Sequence, residues 1–93
     1  QLVIFLLVLV AGFIVDLNRF EWLWLMIASA IVLVLEAMNT SIELLADVYT
    51  QEFNLKIKQV KDIAAGAVLI ASIFAAIVGF VIFLPHLSAM FPL

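Results

Sequence analysis

The chain has 93 residues, of which 69% are hydrophobic, and a formal net charge of −3. A soluble domain of this length is roughly half apolar and cannot bury so much apolar surface, so lipid must solvate much of the chain. The absence of cysteine excludes disulfides and thiolate metal sites, and the four basic residues form no run typical of nucleic-acid binding, so we expect no nucleic-acid partner. Composition therefore predicts a single all-α integral membrane domain over residues 1–93.

The first predicted element is a helix over residues 1–15, which are apolar after Gln1. Because a bilayer core of ~30 Å takes ~20 helical residues, this run is short, and we expect the natural protein to extend further at its N-terminus. Asn18, followed by Glu21 three residues later, resembles a capping box at the start of the next helix. Trp22 and Trp24 follow, where an interfacial aromatic belt would lie.

The second helix is predicted over residues 19–47, and the third over 61–84, which gives three transmembrane helices per chain. The polar segment 49–59 reads as the loop between them. Lys61 and Asp62 open the third helix, and Pro85 closes it. The many small residues of the third helix predict close helix packing in lipid.

The distribution of lysine predicts the orientation of the chain in the membrane. Lys56, Lys58 and Lys61 lie around the second loop, whereas the first loop holds only Arg19. Since cytoplasmic loops carry an excess of basic residues, we expect the second loop in the cytoplasm, and the first loop and the C-terminus outside.

Glu36 is the first candidate site residue, because a carboxylate at the centre of a membrane helix costs roughly 2.5 kcal/mol or more. It lies roughly 21 Å along the helix from Trp22, and Glu43 lies roughly 31 Å along. If Trp22 marks the outer interface, Glu36 lies within the cytoplasmic leaflet and Glu43 near its boundary. That depth suits a group that meets both a lipid headgroup and a water-soluble reagent.

Helical spacing places several polar groups on one stripe. Glu36, Glu43 and Asp47 fall within about 40° of one another, and Asn39 lies roughly 60° to one side. The repulsion among these carboxylates requires protonation, a lysine or a divalent cation in compensation. Acidic groups for Mg²⁺, a lysine for phosphate and a carboxylate that accepts a proton are the parts that phosphoryl transfer needs. The alternative is a polar cluster that only fastens helices together.

Two motifs carry a resemblance to a known family. The run E-A-M-N-T-S-I-E at residues 36–43, followed by Asp47, and the run K-D-I-A-A-G-A-V-L at 61–69 resemble the small bacterial lipid kinases, the prokaryotic diacylglycerol kinase and undecaprenol kinase family. The match covers essentially the whole chain, and the paired motifs at this separation are specific to the family.

The resemblance implies a homotrimer in the bacterial inner membrane, with composite active sites between subunits that face the cytoplasm. It implies that Glu36 is the general base on the lipid hydroxyl, that Asn39 belongs to the same catalytic motif, and that Ala65 contacts the lipid. Glu43 would bind the Mg²⁺ carried with ATP. Six further residues would contact the nucleotide: Asp47, Glu52, Phe53, Asn54, Lys61 and Asp62.

The chain departs from the family pattern in two ways. The family usually has His where Asn54 stands, and it has an amphipathic N-terminal surface helix with another metal-binding Glu. Because that helix is missing from the chain as given, we expect the chain alone to be catalytically incomplete.

The acceptor lipid is predicted from two local cues. Phe20-Glu21-Trp22 and Asn39-Thr40 resemble the undecaprenol kinases more than the diacylglycerol kinases, so undecaprenol is the expected acceptor and diacylglycerol the alternative. The further alternative is a membrane assembly module without catalytic activity.

Overall fold

Three helices form the protein in a computed structural model that describes residues 2–91. The helices are α1 (Leu2–Val15), α2 (Arg19–Tyr49) and α3 (Leu55–Met90), and residues 2–91 contain no strand. The all-α prediction is therefore confirmed for this part of the chain. Residue 1 of the predicted first helix, and residues 92 and 93 of the predicted domain, lie outside the described residues.

Two of the three helices are long and apolar enough to cross a membrane, namely α2 with 31 residues and α3 with 36. The 14 residues of α1 fall short of the ~20 that span a bilayer core. Most large hydrophobic side chains are exposed, and only seven apolar residues among 2–91 are buried. So much exposed apolar surface must be covered by lipid or by another chain.

A tight turn joins α1 to α2. Asp16 takes a positive φ of 59°, and the Leu17 N–H donates to the Gly12 carbonyl at 3.3 Å. The predicted capping box at the start of α2 is confirmed: the Glu21 N–H donates to Asn18 Oδ1 at 2.9 Å, and the Asn18 N–H donates to Glu21 Oε1 at 3.1 Å. These bonds satisfy two of the N–H groups that a helix start leaves without partners.

The end of α1 packs on Trp22 of α2. The Phe13 and Trp22 rings lie 4.9 Å apart between centroids, and a Cβ added to Gly12 would come within 2.6 Å of the indole. Glycine therefore permits this contact. Trp22 thus packs between helices, whereas Trp24 is 55% exposed. The interfacial position of the two tryptophans stays a prediction.

The loop between α2 and α3 is shorter than predicted. Residues 50–54 connect the helices, so the predicted loop over 49–59 and the predicted helix start at 61 are wrong by several residues. Asn54 is the N-cap of α3, and its side-chain oxygen accepts from the N–H groups of Lys56 and Ile57 at 3.0 and 3.2 Å. The helix extends beyond the apolar stretch because this cap, rather than hydropathy, fixes where it begins.

Pro85 does not end α3, contrary to the prediction, because the helix continues to Met90. Proline lacks an N–H, so it cannot donate to the carbonyl four residues earlier. Membrane helices tolerate this loss where neighbouring groups compensate for the freed carbonyl. His86 follows at once, and its ring Nε2 lies 2.9 Å from Glu21 Oε2.

Two contacts fix the antiparallel register of α2 and α3. At one end, Lys61 Nζ donates to Asp47 Oδ1 at 2.7 Å, and at the other, His86 contacts Glu21. Asp47 lies 26 positions after Glu21, and His86 lies 25 positions after Lys61. The two helices therefore run level along almost their whole length, and a residue of α2 can be matched in height with one of α3.

Candidate active site

An apolar cavity of about 460 Å³ lies between the three helices. Its walls come from α1, α2 and α3, and all but three of the lining residues are apolar: Glu36, Ser29 and Ser72. Sites for small molecules are typically cavities of this size and of mostly apolar lining, with a few polar groups. The cavity therefore suits an apolar molecule that carries a polar group.

Among residues 2–91, Glu36 is the only charged side chain that lines this cavity. It is half-buried, and by the register it lies level with Ser72, because each stands 11 positions from the Asp47–Lys61 contact. A carboxylate at this place can accept a hydrogen bond from a hydroxyl inside the cavity. The predicted catalytic residue thus lies beside the space where an amphipathic ligand would bind.

Asn39 follows Glu36 by less than one helical turn. Its side-chain oxygen is buried and has no hydrogen-bond partner among the described residues. A buried acceptor without a donor costs roughly 1–3 kcal/mol. The oxygen therefore calls for a donor from outside residues 2–91, such as a ligand, a water molecule or another subunit.

A second, polar cleft of about 200 Å³ lies where α2 ends and α3 begins. It brings together all six residues that the family resemblance assigns to the nucleotide: Asp47, Glu52, Phe53, Asn54, Lys61 and Asp62. The loop that forms it is shaped by side-chain caps, since Thr50 Oγ1 accepts from the Glu52 N–H at 3.1 Å. Asn54 both lines the cleft and caps the N-terminus of α3.

Two ion pairs line the cleft. Lys61 donates to Asp47 at 2.7 Å and joins the two helices, whereas Lys58 donates to Asp62 at 2.6 Å within α3. The acidic stripe is expected to need protonation, a lysine or a divalent cation to offset its repulsion. For Asp47 the structure provides the lysine, Lys61. The negative charge of Glu43 also acts on Lys61. Lys58 was not among the predicted site residues, although its spacing of four from Asp62 is typical of an ion pair on a helix.

Three predicted residues line neither the cavity nor the cleft: Asn39, Glu43 and Ala65. Of these, Glu43 and Ala65 are exposed on the surface of the single chain. Between Glu36 and Asp47, Glu43 lies roughly 10 Å along α2 from the first and roughly 6 Å from the second. The single chain therefore leaves both residues open to another subunit, to lipid or to solvent.

The donors for a metal ion are sparse. Residues 2–91 contain no group of three or more carboxylate or histidine side chains that could hold one. Magnesium bound together with a nucleotide needs only one or two carboxylates, because the phosphates and water supply its other oxygen ligands. An exposed carboxylate such as Glu43 fits that limited role.

One of the two sequence cues for the lipid, residues 20–22, lies at the start of α2, outside the lining of both spaces. Glu21 caps α2 and contacts His86, and Trp22 packs against Gly12 and Phe13. Neither residue lines the apolar cavity or the polar cleft. Glu21 and Trp22 therefore have structural roles at the end of α2 opposite the polar cleft, whereas Phe20 is 73% exposed.

The chain is similar to known proteins along most of its length. The family model described as prokaryotic diacylglycerol kinase matches residues 1–83. The undecaprenol kinase of Bacillus subtilis is 39% identical over 80 residues, which cover 86% of this chain and 65% of that protein. The diacylglycerol kinase of Synechocystis is 42% identical over 67 residues, which cover 71% of this chain and 38% of that protein.

The matched region thus spans about two thirds or less of each relative's own length. No solved structure matches the chain.

Proposed function

The chain belongs to the prokaryotic diacylglycerol kinase family, and on that premise we propose that it transfers the γ-phosphoryl group of ATP to the hydroxyl group of a membrane lipid. The acceptor proposed first is undecaprenol, which would give undecaprenyl phosphate. The nucleotide side faces the cytoplasm of a bacterial cell, and the working unit is a homotrimer in the inner membrane.

The observation that carries this proposal is the arrangement of two unlike spaces along one helix. The apolar cavity reaches Glu36, and the polar cleft begins at Asp47, roughly 16 Å further along α2. A kinase that acts on a lipid must bind an apolar acceptor and a polyanion close together. The cavity is suited to the first ligand and the lysine-bearing cleft to the second.

The polar cleft is suited to a nucleotide because its two lysines are accessible and already hold anionic partners. Lys61 and Lys58 pair with carboxylates that are 55% and 62% exposed. Such exposed pairs are worth only ~0–1 kcal/mol, so phosphate oxygens can displace the carboxylates at little cost. In this scheme the phosphate chain runs from the cleft past Glu43, whose carboxylate binds the accompanying Mg²⁺, toward Glu36.

Glu36 is the proposed base, and its place in the lining of the apolar cavity supports that role. The lipid oxygen attacks the γ-phosphorus, Glu36 takes the hydroxyl proton, the bond to the bridging oxygen breaks, and ADP leaves. Positioning and charge neutralisation supply most of the rate in such reactions. Asn39 supports the same centre through its buried oxygen, which can accept a hydrogen bond from the acceptor or from water.

Undecaprenol stands ahead of diacylglycerol because of the breadth of the match to the B. subtilis undecaprenol kinase, which covers more of this chain than the match to the Synechocystis diacylglycerol kinase does. Both relatives have similar identity to the chain, so the choice needs a direct comparison. The natural protein that contains this chain should be purified and given labelled ATP, Mg²⁺ and equal amounts of undecaprenol and diacylglycerol. Preferential labelling of undecaprenol is expected, and preferential labelling of diacylglycerol would reverse the order.

The rival function is a membrane assembly module in which the polar groups only fasten helices together. The Asp47–Lys61 contact supports it, because such a pair can join helices without any ligand. The same assay separates the two functions. If no lipid alcohol is labelled in the presence of Mg²⁺, and the protein still forms a defined oligomer, the assembly function is favoured.

A further inference from the structure

We infer that the apolar cavity holds the part of the acceptor lipid's hydrocarbon chain nearest the hydroxyl, and that Gly79 sets how much of that chain the cavity can hold. This inference rests on the proposed function, because it places the acceptor that the kinase would use. It adds a specificity-determining residue on α3, well away from the two sequence motifs.

The dimensions of the cavity follow from the register of the helices. Its cytoplasmic end lies at Glu36 and Ser72, which are level with each other. Its far end lies at Leu25 and Phe83, each 11 positions further along its own helix. At ~1.5 Å per residue the cavity is roughly 16 Å long, which is about half of a ~30 Å bilayer core. One leaflet's depth of hydrocarbon therefore fits along it.

The lining of the cavity suits a hydrocarbon chain. Residues of all three helices line it, and they are apolar except for Glu36, Ser29 and Ser72. A carboxylate at one end and apolar walls beyond it match a lipid alcohol, whose hydroxyl would lie at Glu36 and whose chain would extend away from it.

Gly79 stands partway along this path. It lines the cavity seven positions beyond Ser72, roughly 10 Å past the level of Glu36. A Cβ added there meets nothing within 4 Å, and its φ is not positive. A larger side chain can therefore be placed at residue 79 without strain, and it would fill the cavity at that depth. A longer acceptor would lose room, and a short one would not.

The test is a chain-length profile. The wild-type protein and the Gly79→Leu variant should be assayed with geraniol, farnesol and geranylgeraniol, which share a hydroxyl headgroup and differ in length. Because the part of a long chain beyond residue 79 would lose its buried apolar contacts, we expect Gly79→Leu to lower kcat/KM for geranylgeraniol at least about tenfold and to leave that for geraniol within about twofold. Gly79→Ala should give a smaller loss in the same order.

The control is Ala89→Leu, which adds a similar volume to α3 at an exposed residue outside the cavity. It should keep the wild-type profile. Equal losses on all three alcohols, or none, in a Gly79→Leu protein that keeps its wild-type oligomeric state would overturn the inference. If Gly79→Leu does not fold, the same criteria apply to Gly79→Ala.

A binding measurement separates this inference from the proposed function. Farnesol that carries a photoreactive diazirine at its far end should label the α3 segment around Gly79 and Phe83, and Gly79→Leu should abolish that labelling. Labelling without phosphoryl transfer would reject the kinase function and keep the cavity assignment. Transfer without labelling of this segment would keep the kinase and reject the cavity as the acceptor's place.

Discussion

Lys61 and Asp47 join the two long helices at the polar cleft, with 2.7 Å between Nζ and Oδ1. The contact spans 14 positions of sequence and closes the turn of residues 50–54. It also holds a lysine among the residues proposed to bind the nucleotide. Lys61 thus has Asp47 as its structural partner and a phosphate group as its proposed partner. A substitution of Lys61 therefore tests whether the cleft binds the nucleotide.

Lys61→Gln should raise KM for ATP roughly tenfold to a hundredfold, because a hydrogen bond to a charged group is worth ~1.5–3 kcal/mol. The loss of stability should be below ~1 kcal/mol, since the Asp47 partner is 55% exposed. Steady-state kinetics and thermal unfolding in detergent measure the two effects. Lys56→Gln is the matched control, because Lys56 is exposed and does not line the cleft. Equal effects of both variants on KM would argue against a specific role for Lys61.

Glu36→Gln should lower turnover by ~10²–10⁴-fold, because glutamine keeps the size and polarity of the side chain and cannot accept the proton. Binding of ATP should largely survive, since Glu36 does not line the polar cleft. Initial rates measure the loss of turnover, and equilibrium binding of labelled ATP measures whether nucleotide binding survives. Asp16→Asn, in the turn between α1 and α2, removes a carboxylate away from both spaces and should leave turnover unchanged. A folded Glu36→Gln protein that loses less than tenfold would exclude this residue as the base.

Glu43→Ala should weaken binding of Mg²⁺-ATP and leave binding of metal-free ATP nearly unchanged. The proposed reason is that Glu43 supplies an oxygen ligand to a magnesium ion whose other ligands are phosphates and water. A magnesium titration at fixed ATP, read by nucleotide binding, measures the difference. Should the wild-type and variant titrations coincide, Glu43 would have only a structural role.

The loop of residues 50–54 should face the cytoplasm, because ATP is found there and because the lysines of this region predict the same side. The chain has no cysteine, so a single introduced thiol reports on its own position. Gln51→Cys should resist a membrane-impermeant reagent in intact cells and react after permeabilisation. Ser88→Cys, near the other end of α3, should react in both cases. The reverse pattern would place the polar cleft on the side without ATP and reject the kinase function. Gln51 is preferred to Asn54 because loss of the Asn54 cap would cost ~1 kcal/mol.

The sequence by itself determined the helical class, the start of α2 and the family. Hydropathy is a property of composition, and the capping box of Asn18 and Glu21 needs only residues three apart, so neither depends on tertiary contacts. The two motifs likewise indicated the family that the model match over residues 1–83 bears out. The apolar stretch by itself misplaces both ends of α3, because the helix extends beyond it in each direction. Asn54, a residue type favoured at N-caps, indicates where the helix begins.

Only the tertiary structure decided which polar residues meet. Helical periodicity placed Glu36, Glu43 and Asp47 on one stripe, but it could not show that Asp47 contacts Lys61, that Glu36 lines a cavity or that Glu43 stays exposed. Those outcomes depend on the register between α2 and α3 and on where α1 lies against them. The register is set by contacts between residues far apart in sequence, such as Glu21 with His86, and one helix's own spacing carries no information about its neighbour.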